Sequence, residues 1–256
     1  MKGFIFDLDG TVYLGDQMLD GASDAIRTLR ERGDKVVFLT NKPIATRASY
    51  AHKLTKMGIP ASVDEIVNSS LLVALYLKGK VEAGEQVLVI GEEPIRDELR
   101  QHNIAITDTD YNVRYVVLSW DREFTYDKLN LLYQAAIRGA FIIASNPDRT
   151  CPLLGGEVPD TGALIGAIEG ALGRPIDLVV GKPSPIAASL AVEYLGLDYA
   201  DCYMVGDRLE TDIRMGNSTG MHSVLVLTGV STKEMADQAE DKPAFILNSI
   251  KEIVEL

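Results

Sequence analysis

Two aspartates, Asp7 and Asp9, stand two residues apart directly after a short apolar run at the start of the sequence. One carboxylate of such a pair can attack phosphorus, while the other protonates the leaving oxygen and then activates water. Gly10 follows and permits a turn conformation that a Cβ atom would hinder. A solvated acidic loop is the alternative interpretation, and the pair alone does not decide between the two.

Three further polar groups follow apolar runs later in the sequence. Thr40 and Asn41 offer a hydroxyl and an amide, Lys182 offers a positive charge, and residues 206–212 (GDRLETD) offer more carboxylates. Carboxylate and other oxygen ligands are those that hard cations such as Mg²⁺ prefer. Because ligands of parallel α/β sheets bind outside the carboxyl ends of the strands, we expect all four groups to meet at one sheet edge.

The elements that must position these groups alternate between strand and helix patterns. Residues 35–40 (KVVFLT) are nearly all apolar and rich in β-branched side chains, which is typical of a strand buried on both faces. Further strands are predicted at residues 3–7, 86–91, 114–119, 141–145, 178–181, 202–206 and 223–227. Helices are predicted at 22–32, 47–57, 69–78, 94–102, 126–138 and 185–195. Repeated β-α units of this kind indicate an α/β protein built on parallel sheets.

Two loop-like breaks suggest how the chain is divided into domains. Residues 78–84 (KGKVEAG) form one break, and the segment 149–161, with two prolines and two glycines, forms the other. A smaller α/β domain inserted between two halves of a larger one fits these breaks, although composition alone does not prove it.

Bulk composition excludes several classes of protein. The chain has 256 residues and a formal net charge of −12, with no basic run that could neutralise a nucleic-acid backbone. No uncharged apolar run approaches the roughly 18 residues that span a bilayer, and no signal-peptide pattern is present. The two cysteines lie far apart and give no zinc spacing. We therefore expect a cytoplasmic protein that binds neither nucleic acid nor membrane, with monomer or homodimer left open.

The four polar groups, in this order, resemble the four motifs of the haloacid-dehalogenase (HAD) superfamily. The resemblance covers essentially the whole chain and is closest to the NagD-type branch, in which a large α/β cap of the C2 type is inserted between the second and third motifs. Its segments are DLDGTVY (7–13), LTN (39–41), SNPD (145–148), TGAL (161–164), GKPSP (181–185), GDRLETDI (206–213) and VLTG (226–229). It implies a Rossmann-like core with a parallel sheet at residues 1–79 and 179–256, and a smaller inserted cap at residues 80–178 that selects the substrate.

The resemblance also implies a role for each carboxylate of the site. Asp7 is expected to be the nucleophile that forms an aspartyl-phosphate, and also a ligand of Mg²⁺. Asp9 is expected to be the general acid and base, with its backbone carbonyl on the metal. Asp207 is expected to be the third protein ligand of Mg²⁺, and Asp212 to support the site from behind the ligands.

Further residues are implied to bind the substrate. Thr40, Asn41 and Lys182 would hold the transferring phosphoryl group, and the backbone from Arg208 onward would line the same region. In the cap, Asn146 and Asp148 resemble the loop that faces the leaving group, and they are therefore expected to bind the substrate. A plain Asn-Pro-Asp turn is the alternative for these two cap residues, because turn chemistry favours the same residue types.

The predicted function is that of a Mg²⁺-dependent phosphatase acting on a small phosphorylated metabolite, with sugar phosphates or nucleoside monophosphates as the substrate class. A phosphomutase on the same scaffold remains an alternative. A dehalogenase is disfavoured because it has no use for the acid Asp9. A non-catalytic protein that binds a phosphorylated metabolite is disfavoured because every motif is intact.

Overall fold

The structure is a computed structural model, and it describes residues 1–153 and 156–256. Its strands are β1 (Gly3–Phe6), β2 (Tyr13–Leu14), β3 (Gln17–Met18), β4 (Lys35–Thr40), β5 (Ile66–Asn68), β6 (Val87–Ile90), β7 (Ile106–Thr107), β8 (Tyr115–Leu118), β9 (Phe141–Ala144), β10 (Thr150–Leu153), β11 (Gly156–Pro159), β12 (Leu178–Val179), β13 (Cys202–Gly206), β14 (His222–Val226) and β15 (Phe245–Leu247). Its α-helices are α1 (Ala22–Glu31), α2 (Arg47–Lys56), α3 (Ser69–Leu77), α4 (Glu93–Gln101), α5 (Tyr126–Ile137), α6 (Thr161–Leu172), α7 (Pro185–Leu195), α8 (Arg214–Thr219) and α9 (Lys233–Gln238).

The chain divides into two compact units, and each is a parallel sheet with helices. The first unit comprises residues 1–40, 47–67 and 182–256, and the second comprises residues 41–46 and 68–181. The α/β class predicted from the alternating patterns is therefore confirmed. No helix among the residues that the structure describes is both long enough and apolar enough to span a bilayer.

The sheet of the first unit has the order β15-β14-β13-β1-β4-β5. Strand β1 pairs in parallel with β13 on one side and β4 on the other, so the first strand of the chain is central. Helix α1 buries Ala22, Ala25, Ile26 and Leu29, the spacing of one helical face. That face packs on β4 and on the 3₁₀ helix at Ile250–Glu255.

The sheet of the second unit has the order β12-β9-β8-β6-β7, and all of its pairs are parallel. Its core joins Leu88, Val116 and Ile142 of three neighbouring strands to Leu132 of α5 and Ile168 of α6. All five side chains are at most 2% exposed. Continuous burial of the strands explains why their sequence is apolar at successive positions rather than at alternate ones.

The boundaries between the units differ from those predicted. Residues 68–79 were assigned to the first domain because the glycine-rich break begins at residue 78, but they belong with the second unit. Helix α3 packs against α4, and its side chains Leu72, Val73 and Leu77 are buried. A loop-like composition marks where the chain turns, whereas long-range packing decides to which unit a helix belongs.

Two antiparallel hairpins were not predicted. Strand β2 pairs with β3 just after the Asp7–Asp9 motif. Strand β10 pairs with β11 inside the segment that was predicted to be a loop. Short hairpins carry a weak periodic signal, because two to four residues give too few alternations to distinguish a strand from a turn.

Candidate active site

The sheet order of the first unit brings three of the predicted groups to neighbouring strand ends. Asp7 directly follows β1, Thr40 is the last residue of β4, and Asp207 directly follows β13. Because β1 lies between β13 and β4, the carboxyl ends of these strands are adjacent. The backbone N–H of Asp7 continues the ladder by donating to the carbonyl of Val205 over 2.9 Å.

Lys182 is a buried cation that joins two carboxylates of this edge. Its side chain is 2% exposed, and its Nζ donates to Oδ1 of Asp7. The same Nζ forms an ion pair with Oδ1 of Asp212 over 2.7 Å. Burial by itself lowers the pKa of Lys182, but the two carboxylates outweigh this effect and raise the pKa above its ordinary value. Lys182 is therefore charged.

Three buried aspartates form a cluster that could hold a metal ion. Asp7, Asp207 and Asp212 each place one carboxylate oxygen within 4.8 Å of the others. Burial raises the pKa of both Asp207 and Asp212, and the charge of Asp7 raises both further. Such repulsion in a buried site is what a divalent cation relieves, so the donor set fits Mg²⁺.

Within this cluster, Asp212 already has partners inside the protein. It pairs with Lys182, and its Oδ2 accepts a hydrogen bond of 3.1 Å from the backbone N–H of Arg208. The chain from Leu209 to Ile213 forms a π-helical turn that brings the aspartate back over the residue following Asp207. Asp212 is thus suited to orient Lys182, and Asp7 and Asp207 stay the side chains that are predicted to bind the metal.

Asp9 lies in a tight turn and is only half-buried. The backbone N–H of Gly10 donates to the carbonyl of Tyr13 over 2.7 Å, and the N–H of Val12 donates to the carbonyl of Leu8 over 2.9 Å. Among the residues that the structure describes, the carboxylate of Asp9 is outside the three-aspartate cluster. A more exposed carboxylate is compatible with the predicted proton-transfer role, which stays a prediction.

The three remaining predicted residues lie in the second unit. Asn41 donates from Nδ2 to Oδ2 of Asp148 over 3.2 Å. Asn146 donates from its Nδ2 to the carbonyl of Asn41 over 3.1 Å and to Oγ1 of Thr161 over 3.0 Å. The Oδ1 of Asn146 accepts from the backbone N–H of Asp148 over 2.9 Å.

This network fixes the side chain of Asn146 within the second unit. The side chain is fully buried, and both of its amide hydrogens are donated inside the unit. The bond from Oδ1 to the N–H two residues later is the local turn contact expected of an Asn-Pro-Asp segment. Asn146 is thus held in place by groups of its own unit, and its predicted substrate contact stays a prediction. Asp148 is half-buried, and its predicted substrate contact stays a prediction.

Sequence reasoning missed the segment after β14. The backbone N–H of Val230 donates to Oδ2 of Asp207 over 2.7 Å, and Oγ1 of Thr228 donates to the carbonyl of Gly10 over 2.6 Å. Residues 226–229 had been noted only as one more segment of the resemblance. Thr228 nonetheless follows a strand that neighbours β13, so the sheet-edge rule applied to Asp7 and Asp207 could have found it.

Comparison with known proteins identifies the family of the chain. A family model of haloacid dehalogenase-like hydrolases matches residues 4–105, and a second HAD-like hydrolase model matches residues 179–253. The chain is 41% identical over 254 residues to sugar-phosphatase AraL of Bacillus subtilis, covering 99% of this chain and 92% of that protein. It is 34% identical to 5′-nucleotidase YutF of the same organism, covering 98% of this chain and 96% of the relative.

Solved structures of phosphatases and of NagD resemble this chain over nearly its full length. A p-nitrophenyl phosphatase from Archaeoglobus fulgidus superposes with a TM-score of 0.92 at 33% identity, covering 99% of this chain and 98% of that one. NagD from E. coli K-12 superposes with a TM-score of 0.89 at 30% identity, covering 98% of each chain. Glycerol phosphate phosphatase Rv1692 from Mycobacterium tuberculosis, in complex with magnesium, superposes with a TM-score of 0.89 at 29% identity, covering 98% of this chain and 76% of that one. The chain therefore belongs to the haloacid dehalogenase-like hydrolases, in their NagD-type branch, and is a phosphatase of small phosphate esters.

Proposed function

We propose that this phosphatase depends on Mg²⁺ and hydrolyses sugar phosphates or nucleoside monophosphates through an aspartyl-phosphate on Asp7. The observation that carries the proposal is the buried contact of Lys182 with Asp7, beside a second buried aspartate, Asp207, within 4.8 Å. The names of two relatives, a sugar-phosphatase and a 5′-nucleotidase, support the substrate class.

Lys182 would make the first step possible by reducing charge repulsion. A carboxylate nucleophile and a phosphate monoester are both anions, so their approach is unfavourable unless positive charge lies between them. Lys182 touches Asp7, and its pKa is raised, so it stays charged through the neutral range. Thr40, at the end of the neighbouring strand, would donate its hydroxyl to a phosphoryl oxygen, and Asn41 is predicted to donate its amide.

The chemical steps would then divide between Asp7 and Asp9. A carboxylate oxygen of Asp7 attacks phosphorus, and the ester oxygen departs with a proton from Asp9. Asp9 then takes a proton from water, and this water attacks phosphorus and releases phosphate and free Asp7. Mg²⁺, held by Asp7, Asp207 and the backbone carbonyl of Asp9, would supply positive charge to the phosphoryl oxygens throughout.

The second unit would act as the cap that selects the leaving group. Its half-buried Asp148 is proposed to face the sugar or nucleoside, while Asn146 holds the loop in shape from within the unit. A carboxylate is a suitable acceptor for hydroxyl groups, which sugars and ribose both carry.

A phosphate-release assay on a substrate panel tests this function. The panel contains sugar phosphates, nucleoside monophosphates, pyridoxal phosphate and p-nitrophenyl phosphate, each with Mg²⁺ and with EDTA. We expect release only with Mg²⁺, and faster release from the first two classes. Phosphate that is moved to an isomer of the substrate rather than released would indicate a mutase instead. No turnover on any member of the panel with Mg²⁺ present would refute the proposal.

A further inference from the structure

The segment Thr228–Ser231 lies against Asp207 because of the sheet register. Strand β14 pairs in parallel with β13, with Leu225 opposite Gly206, so the chain leaving β14 passes beside the residue that follows Gly206. The backbone N–H of Val230 donates to Oδ2 of Asp207 over 2.7 Å, and the N–H of Ser231 donates to the carbonyl of Asp207 over 3.0 Å. One segment therefore donates hydrogen bonds to both the carboxylate and the backbone carbonyl of Asp207.

Two glycines make room for the carboxylate of Asp207. A Cβ atom on Gly229 would overlap Oδ2 of Asp207. A Cβ atom on Gly10, whose φ is +87°, would lie 2.6 Å from the same oxygen. The carboxylate thus lies in a slot between the Cα atoms of two glycines from opposite ends of the sequence, and no other residue type fits on either side.

Thr228 joins the two sides of this slot. Its Oγ1 donates to the carbonyl of Gly10 over 2.6 Å. On the far side of the segment, Oγ of Ser231 accepts from the backbone N–H of Leu209 over 3.2 Å, which ties it to the turn after Asp207. The segment therefore contacts the turn that carries Asp9 and the turn that carries Asp207.

We propose that Thr228–Ser231 is a positioning element that fixes Asp207 and the Gly10 turn relative to each other, with Thr228 as its key side chain. The proposal rests on the proposed function, because its purpose is to hold two parts of one Mg²⁺ site at a set separation. Groups that orient metal ligands through hydrogen bonds typically change metal affinity or activity by about 10- to 100-fold when they are lost.

Substitution of Thr228 tests the element. Thr228→Val keeps the shape of the side chain but loses the hydroxyl, whereas Thr228→Ser keeps the hydroxyl. The readout is the Mg²⁺ concentration that gives half of the maximal rise in melting temperature, measured without substrate. We expect about a tenfold increase in this concentration for Thr228→Val and less than about a threefold change for Thr228→Ser.

A matched control is available in the same unit. Thr219 donates from Oγ1 to the carbonyl of Met215 over 2.7 Å, a bond of similar length that lies within helix α8 and joins neither the Gly10 turn nor Asp207. Thr219→Val should leave the half-saturating Mg²⁺ concentration unchanged. If Thr228→Val fails to fold without metal, Thr228→Ala, which removes the hydroxyl without adding a branch, takes its place.

Gly229→Ala gives an independent test of the slot. The added methyl group occupies the position of Oδ2 of Asp207, so Mg²⁺ should stabilise this variant only at concentrations at least about tenfold higher. The proposal would be overturned if the half-saturating Mg²⁺ concentration were the same for Thr228→Val, Thr228→Ser and Thr219→Val. A wild-type protein that binds Mg²⁺ but releases no phosphate would refute the proposed function and leave this comparison valid, so the two failures are distinguishable.

Discussion

Replacement of Lys182 by methionine tests the electrostatics of the site most directly. Lys182 is 2% exposed, and it contacts Asp7 and pairs with Asp212 over 2.7 Å. Methionine retains much of the length and apolar volume of the lysine stem and removes only the charge. In the metal-free variant, three buried aspartates would share one site without this cation.

The expected cost follows from this loss of charge. Removing one partner of a buried ion pair typically destabilises a protein by about 3–5 kcal/mol, because the remaining charge stays buried and uncompensated. We therefore expect Lys182→Met to lower the free energy of unfolding by about that amount in EDTA. For a unit of this size the melting temperature would fall on the order of 10 °C.

The dependence of the stability loss on pH and on Mg²⁺ separates this mechanism from a simple packing defect. The lysine lowers the pKa of Asp212, so its removal raises that pKa further. A carboxyl group whose pKa is raised in the folded state stabilises the protein below that pKa and loses the contribution as pH rises. The loss of stability should thus be larger at pH 8 than at pH 5, and saturating Mg²⁺ should reduce it.

The assay is urea unfolding followed by circular dichroism, at both pH values, with Mg²⁺ and with EDTA. Adding Asp212→Asn to Lys182→Met removes one uncompensated charge and should recover part of the loss, which a double-mutant cycle measures. A loss below about 1 kcal/mol, or one that is the same at both pH values and in both buffers, would refute the reasoning.

Three other outcomes are expected. Asp7→Asn should reduce phosphate release below detection and leave the circular dichroism spectrum unchanged. The exposed control Asp24→Asn should match the wild type. Turnover by Asp7→Asn would contradict the nucleophile assignment. Burial and the charges of two neighbouring aspartates raise the pKa of Asp207 to about 7, so the metal-free protein loses stability as pH rises toward 7. The rise in melting temperature on adding Mg²⁺ should therefore be larger at pH 8 than at pH 5.5. Asn146→Ala should cost about 1–3 kcal/mol, because it removes the buried hydrogen bonds to the carbonyl of Asn41, to Oγ1 of Thr161 and from the N–H of Asp148; a change in KM with unchanged stability would support the predicted substrate contact.

The placement of three candidate site residues could be predicted from the sequence because it depends on which residue types follow a strand. Asp7, Thr40 and Asp207 each follow or end a continuous apolar run, and such runs form buried parallel strands whose carboxyl ends share an edge. The alternation of strand and helix patterns predicted the α/β class, and the order of the motif segments carried the resemblance to a phosphatase family. Each of these conclusions needs only local pattern and order along the chain.

Contacts between distant segments were decided only by the tertiary structure. The pairing of Lys182 with Asp7 joins residues 175 positions apart, and the slot between Gly10 and Gly229 exists only because β1, β13 and β14 are neighbours in one sheet. The burial of Asn146 likewise depends on which groups surround it. Periodicity in the sequence predicts whether a segment is a helix or a strand. Which segments become neighbours is decided by packing and hydrogen bonds between residues far apart in the chain, and a local sequence pattern does not contain that information.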